Sequence, residues 1–474
     1  MKQLERRWRV LIVVSAAVFM ASLDLFIVNI AFPAIGRDFG GTSLGSLSWI
    51  LNAYAIVFAA LLVPAGRTAD RLGRKRSFIA GLVLFTTASA LCAAAPSVEL
   101  LVAARVLQAV GAASLFPTSL ALLLPEFPAS ERRTAVSIWA AAGGVAAAAG
   151  PPVGGLLVQA GWQLVFLVNL PIGIVLLVFA VRILSETREP AGTPRPDLLG
   201  AGLLTASIGT LTFAIVKAAD WGWASGRIIG LLAAAVVLLG AFWLRSTRHP
   251  APIVEPALLE HRSFVFANLG ALLFFMAFGA MLLSSVLFLT TVWGESVVRA
   301  GLQIAPGPAM AALFAVPAGL LAARVGERVT GAAGGLLFAA GGVWWLTHVG
   351  ATPDYAGAFL PGMVIGGAGV GLVIPSLTSA ATSSLPPDRF ATGSAVLSMS
   401  RQIGVALGVA VLVSIVGTPA PGEALDRFKD GYGFMTGVAI AAAVAMWAIG
   451  RIGPAPAAAQ AAPARTALAT EVSA

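Results

Sequence analysis

Apolar stretches of about twenty residues recur along this chain, each separated from the next by a short polar or basic interval. A helix needs about 20 mostly apolar residues to cross a bilayer. That template fits residues 10–32, 47–66, 77–95, 98–122, 134–158, 164–184, 198–218, 228–244, 264–290, 302–323, 330–349, 356–383, 391–416 and 433–451. The pattern predicts an all-α integral membrane protein with fourteen transmembrane helices. An even number of crossings puts both chain ends on one side. With that side cytoplasmic, about 22 of the Lys and Arg residues fall in inner loops and termini and about 6 in outer loops, as the positive-inside rule requires. The expected location is the plasma (inner) membrane, crossed many times, with both termini cytoplasmic.

Composition agrees. Apolar residues make up 58% of the 474 and charged residues only 11%, whereas about a quarter of a soluble domain is charged. A net charge of +9 would suggest nucleic acid in a soluble protein. Here it reflects Lys and Arg held on the cytoplasmic side, and no nucleic-acid partner is expected. The single cysteine, Cys92, lies in an apolar segment and reads as packing, so neither a disulfide framework nor a thiol metal site is expected. His249 and His261 fall in an inner loop and His348 at an outer helix end, which points to solvated side chains and no metal site. The basic start MKQLERRWR followed by an apolar run has the look of a signal peptide, but the run is too long, contains Asp24 and precedes many others. It reads as the first membrane helix. Residues 454–474 are rich in Ala and Pro with almost no charge and read as a disordered tail.

One polar interval repeats. PAGRTADRLGRKR from Pro64 is echoed by PAGLLAARVGERV from Pro317, with Pro, Ala, Gly, Ala, Arg and Gly matching at one constant offset. The same offset carries Arg9, before helix one, to Arg262, before helix nine. The chain therefore divides into two parallel six-helix bundles, 1–184 and 263–453. Helices seven and eight are an insertion within 185–262, flanked by the linker SETREPAGTPRPD and a second polar loop.

Several motifs now bear on family. Gly66 to Arg76 fits G-x-x-x-D-R-x-G-R-[RK]-[RK]; Leu23 to Pro33 fits L-D-x-[TS]-I-V-N-x-A-L-P except at Phe26 and Phe32; Arg105 to Gln108 fits the start of R-x-x-Q-G, with Ala109 in the glycine position. Gly150 to Gly155 fits G-P-x-x-G-G, and WQLVFLVNLPIG from Trp162 is close to W-R-W-x-F-x-x-N-x-P-x-G. On these residues the chain resembles the major facilitator superfamily and its 14-helix drug:proton antiporter, or multidrug efflux, branch. The resemblance implies alternating-access transport, proton coupling and efflux of a small molecule. No cofactor beyond the proton gradient is implied. It assigns Gly66, Asp70, Arg71, Gly73 and Arg74 to a gate locking the halves at the inner face; Asp70 is expected to face the start of helix thirteen, near Ala391, when the carrier is open outward. It also makes Gly150, Pro151, Gly154 and Gly155 an antiporter motif, whose small residues present a smooth face that can seal one bundle against the other.

The membrane-buried charges give the coupling chemistry. A carboxylate in a membrane helix costs about 2.5–3.5 kcal/mol on insertion scales and normally faces a cavity or a partner. Asp24 lies about 21 Å from the inner start of helix one and Arg105 about 11 Å from the outer start of helix four, at 1.5 Å per residue. In a core about 30 Å thick these depths coincide. Asp24 and Arg105 are therefore expected to pair, directly or through Gln108 and Asn29, either as the proton-coupling site or as a static brace. Arg401 reads as snorkelling or making a helix-end contact.

The substrate cavity is expected between the halves. Asn29, Trp49, Asn52, Tyr54, Phe58, Gln108, Phe275, Met276 and Phe278 are the candidate linings. An apolar cavity with one acid suits hydrophobic neutral or monocationic compounds. The leading function is a proton-coupled antiporter exporting hydrophobic drugs, dyes or small metabolites, acting as a monomer in the lipid bilayer. A proton symporter importing a nutrient is second. A membrane-embedded enzyme is a distant third, because the spans hold no His/Asp, Ser/His or metal-ligand cluster.

Overall fold

The computed structural model describes residues 5–128, 131–188, 195–383, 385, 390–417 and 422–450; the tail expected from residue 454 lies outside them. Its helices, in chain order, are α1 (Arg6–Asp38), α2 (Leu44–Leu72), α3 (Arg74–Ala93), α4 (Val98–Leu123), α5 (Arg132–Ala160) and α6 (Leu164–Ile183, jointed at Val168). Then come α7 (Leu198–Trp221), α8 (Gly226–Arg248), α9 (Arg262–Thr291), α10 (Val297–Val325, jointed at Ala305) and α11 (Glu327–His348). The last three are α12 (Tyr355–Ala381), α13 (Phe390–Val416) and α14 (Ala424–Trp447). Thirteen of them are long and apolar enough to cross a membrane. The exception, α14, opens with Asp426, Arg427, Lys429 and Asp430, so it starts at Ala424 and not at the predicted residue 433.

Hydrophobicity reports immersion, while backbone hydrogen bonding carries a helix past the apolar slab. The predicted loop between helices two and three shows this. α2 continues through the charged residues to Leu72, α3 begins at Arg74, and Gly73 alone joins them, with φ 118°. Its echo behaves alike: α10 runs to Val325, α11 starts at Glu327, and Gly326 between them has φ 89°. Both joints need a positive φ that glycine adopts without a Cβ penalty. Elsewhere short polar side chains cap helix starts, as Ser43, Ser97, Ser225 and Ser296 do for α2, α4, α8 and α10.

Helices α1–α6 pack on one another as α9–α14 do. α1 packs on α5 as α9 packs on α13, α3 on α4 as α11 on α12, and α2 on α4 as α10 on α12. The inserted α7 and α8 form a hairpin tied by the Arg245 Nε–Asp197 Oδ1 ion pair at 3.0 Å, and α7 rests against both α2 and α13.

Two faces can be told apart. The basic face carries the start of α1 and the joints at Gly73 and Gly326. On the far face, Leu23 to Ile35 of α1 share one buried apolar cluster with Phe274 to Leu289 of α9.

Candidate functional site

Asp24 and Arg105 meet. The Arg105 Nη1 donates to Asp24 Oδ2 at 2.5 Å, and both side chains are fully buried (0% exposed). Asp24 Oδ1 accepts from Gln108 Nε2 at 2.9 Å and from Asn169 Nδ2 at 3.0 Å. Ser89 Oγ accepts from the same two amides at 2.9 Å each and donates to the Phe166 carbonyl at 3.2 Å. Arg105 also donates from Nη1 to Gln108 Oε1 at 2.6 Å and from Nε to the Ile50 carbonyl at 3.1 Å, and its guanidinium carbon lies 4.0 Å from the centre of the Tyr54 ring. Helices α1, α3, α4 and α6 each contribute a polar side chain to this knot, while α2 contributes the Ile50 carbonyl and the Tyr54 ring. Three hydrogen bonds, one of them from the Arg105 cation, thus end on the Asp24 carboxylate.

Asn29 is outside it. Its amide donates to the Leu25 carbonyl one turn earlier, at 2.9 Å. Asn169 and Ser89 were not foreseen as members. Asn169 is the asparagine of the WQLVFLVNLPIG motif and sits at the α6 joint, so the motif was the available signal. Ser89 is one hydroxyl in an apolar helix and gives none.

Of the residues expected to form a gate, Gly66, Asp70 and Arg74 line a cavity of about 350 Å³ at the basic face, together with Pro117 of α4, Trp139 of α5, and Thr392, Ser394 and Ser398 of α13, among others, whereas Arg71 and Gly73 do not. Asp70 faces the first turns of α13 across this space and is bonded to Arg74 Nε at 2.8 Å. The side chain of Ala391 lies outside the described residues. Gly66 allows α2 to approach α4, since a Cβ there would lie 3.2 Å from Pro117. Arg71 is exposed. The linkers flanking the insertion also reach this gate. The Glu186 carboxylate accepts from the Lys75 and Arg76 backbone N–H groups at 3.1 and 3.3 Å, and Glu255 pairs with Arg67 at 3.2 Å. Nothing in the local sequence signals such long-range docking.

The GPPVGG residues divide their work. Gly150 packs on Phe26 of α1, and Gly154 on Ile27 and Ile30. Gly155 instead meets α10 of the other half, where its Cβ would lie 3.1 Å from Val298 Cα, and the Pro151 carbonyl lies 2.5 Å from where a Cβ on Gly301 would be. The halves thus touch backbone to backbone at the far face. Nearer the basic face, α5 and the second piece of α10 have little contact.

The aromatic candidates scatter. Tyr54 stacks on Phe58, which packs on Phe116, all within the first bundle. Trp49 lies against Phe213 of α7, and Met276 against Gly404 and Gly408 of α13. Asn52 is buried, donating to Ser48 Oγ at 3.4 Å. Phe275 and Phe278 pack together with Phe274. Arg401 is eleven positions inside α13, and its guanidinium carbon lies 4.5 Å from the Phe275 ring centre, thirteen positions inside α9. It does not snorkel to the helix end, because the ring holds it near mid-depth.

Residues 14–409 match the sequence profile of the Major Facilitator Superfamily. The chain is 37% identical to a probable actinorhodin transporter of Streptomyces coelicolor over 90% of this chain and 75% of that protein. It is 35% identical to a methylenomycin A resistance protein of Bacillus subtilis (86% and 87% covered) and 34% identical to a multidrug resistance protein of Mycobacterium tuberculosis (86% and 75%). Among solved structures it resembles a bacterial homologue of the human lysosomal transporter Spinster, in an inward-facing and unoccupied conformation, with a TM-score of 0.66 at 18% identity over 94% of this chain and 97% of that one.

Proposed function

The chain belongs to the Major Facilitator Superfamily, alongside relatives of its drug-efflux branch, and from that premise we propose that it exports hydrophobic drugs, dyes or small metabolites from the cytoplasm in exchange for protons. The relatives' names, which concern actinorhodin, methylenomycin A and multiple drugs, favour antibiotic-like small molecules as its cargo. The basic face is cytoplasmic, with both termini there, and the protein works as a monomer in the plasma membrane.

The observation that carries the reading is the buried Asp24–Arg105 pair with its ring of amides. Deprotonated Asp24 holds Arg105 and ties α1 to α4 and α6; protonated Asp24 loosens that tie and biases the bundles toward the alternative arrangement. The glycine contact of α5 with α10 closes the far face while the gate cavity lies at the cytoplasmic one. Alternating access would reverse that pattern, bringing Asp70 against α13 and parting Gly155 from Val298.

Inverted vesicles with an imposed pH gradient test this. Wild type should accumulate a hydrophobic dye only when the gradient is present. Asp24→Asn should abolish driven accumulation and leave substrate exchange intact; driven accumulation by that variant would sink the coupling role, and loss of folded protein would favour a static brace. Uptake in the opposite sense would favour the nutrient symporter. Asp70→Asn should cut transport while protein level and insertion stay normal, and unchanged transport would remove the gating role.

A further inference from the structure

The ionised side chains that line the gate cavity have partners. Asp70 bonds Arg74 and Arg67 bonds Glu255. Deeper in the membrane Asp24 and Arg105 are sealed against each other with no exposed surface. Arg401 differs. Among the described residues its guanidinium contacts the face of Phe275 and no acid or hydrogen-bond acceptor. It is only partly buried. Ser394 and Ser398 of α13 line the cavity. Arg401 follows them by seven and three positions, on the same helix face, one turn deeper than Ser398. Eleven residues of α13 place it about 16 Å from the helix start, too deep for a lipid headgroup to reach in a core about 30 Å thick.

An unpaired guanidinium at mid-membrane is costly and calls for an anionic or strongly accepting partner. Its fork is shaped to take two oxygens of one acidic group, and the ring beneath it fixes its plane. We propose that Arg401, seated on Phe275 one turn beyond the Ser398 lining of the gate cavity, is an anion-recognising subsite for flat, largely apolar compounds that carry a carboxylate, sulfonate or phenolate. This rests on the exporter reading and narrows its cargo. With Asp24 sealed inside the first bundle, the charge presented to cargo at this depth is positive, which reverses the preference for cations that a cavity-facing Asp24 would impose.

The test uses the full chain in phosphatidylcholine nanodiscs and two dyes with one xanthene core, anionic fluorescein and cationic rhodamine 123, read by fluorescence anisotropy. Wild type should bind fluorescein more tightly than rhodamine 123. Arg401→Gln should weaken fluorescein binding by about tenfold or more, the size of one charge-assisted bidentate contact, and change rhodamine 123 by less than about twofold. Arg401→Lys, which keeps the charge without the fork, should restore part of the loss and shows that the position tolerates substitution. Unmeasurable fluorescein binding by wild type, unchanged fluorescein binding by Arg401→Gln, or equal loss of both dyes overturns the subsite. Driven accumulation in inverted vesicles separates the two claims. Wild type moving neither dye while binding still discriminates ends the exporter reading and keeps the subsite. Arg401→Gln moving both dyes as wild type does ends the subsite and keeps the exporter.

Discussion

In the first bundle the space between α1, α3, α4 and α6 holds Asp24, Ser89, Arg105, Gln108 and Asn169, all fully buried and hydrogen-bonded to one another. In the second, α9, α11, α12 and α14 enclose Phe288, Trp345, Phe359 and Tyr432 nearer the far face, with rings 5.2–6.3 Å apart. At the offset that takes Pro64 to Pro317, Asp24 falls on Ala277 and Ser89 on Gly342. The helix packing of the two halves is the same. The positions that hold the polar knot in one half therefore hold small apolar residues in the other, under the same helix packing.

Making the first core resemble the second should have the largest effect. Arg105→Met leaves Asp24 buried without its cation and should lower unfolding stability by about 3–5 kcal/mol, the usual result of breaking one partner of a buried pair. Asp24→Leu combined with Arg105→Met should recover most of that stability, seen as a return of the melting temperature, while gradient-driven transport stays absent. A single Arg105→Met that melts like wild type would mean the pair contributes nothing to the bundle.

Closure at the far face comes next. Gly301→Leu drives side-chain volume into the Pro151 carbonyl, where even a Cβ would sit at 2.5 Å, and overpacking of this kind costs about 1–3 kcal/mol. Gly319, in the second piece of α10, has nothing within 4 Å of its would-be Cβ. The first change should expose a cysteine placed at Val298 to a polar thiol reagent from the far side and slow transport. The matching Gly319→Leu should do neither. Equal behaviour of the two would show that the halves do not seal at Gly155 and Gly301.

The crossings were legible because lipid demands length and apolarity, and the Asp24–Arg105 pair because depth is simple arithmetic on a helix. The charged ends were not. Gly66 to Arg76 looked like a loop because it is polar, yet all of it except Gly73 is helix. Trp49 looked like a cavity wall, but the insertion gives it Phe213 as a neighbour. Glu186 and Glu255 find their partners more than a hundred residues away, which no local pattern can announce.

The smallest expected effect separates the two glycine joints. At Gly73 the Glu186 carboxylate occupies the place a Cβ would take, 2.6 Å away, and accepts from two backbone N–H groups of the first turn of α3. At Gly326 a Cβ would meet nothing within 4 Å, and the first turn of α11 carries its own Glu327, which accepts from Ser379 Oγ at 2.9 Å. A carboxylate at a helix start satisfies otherwise orphaned donors and complements the helix dipole, and its removal costs about 1 kcal/mol. The first joint is thus pinned by the linker to the insertion, while the second is tied to the neighbouring helix α12. Glu186→Ala should speed amide exchange at Arg74–Phe78 by about fivefold, as about 1 kcal/mol implies, and lower transport modestly. Glu327→Ala should leave α3 untouched. If exchange at the start of α3 does not change in Glu186→Ala, the linker merely lies beside the gate, and the insertion has no hold on it through this contact.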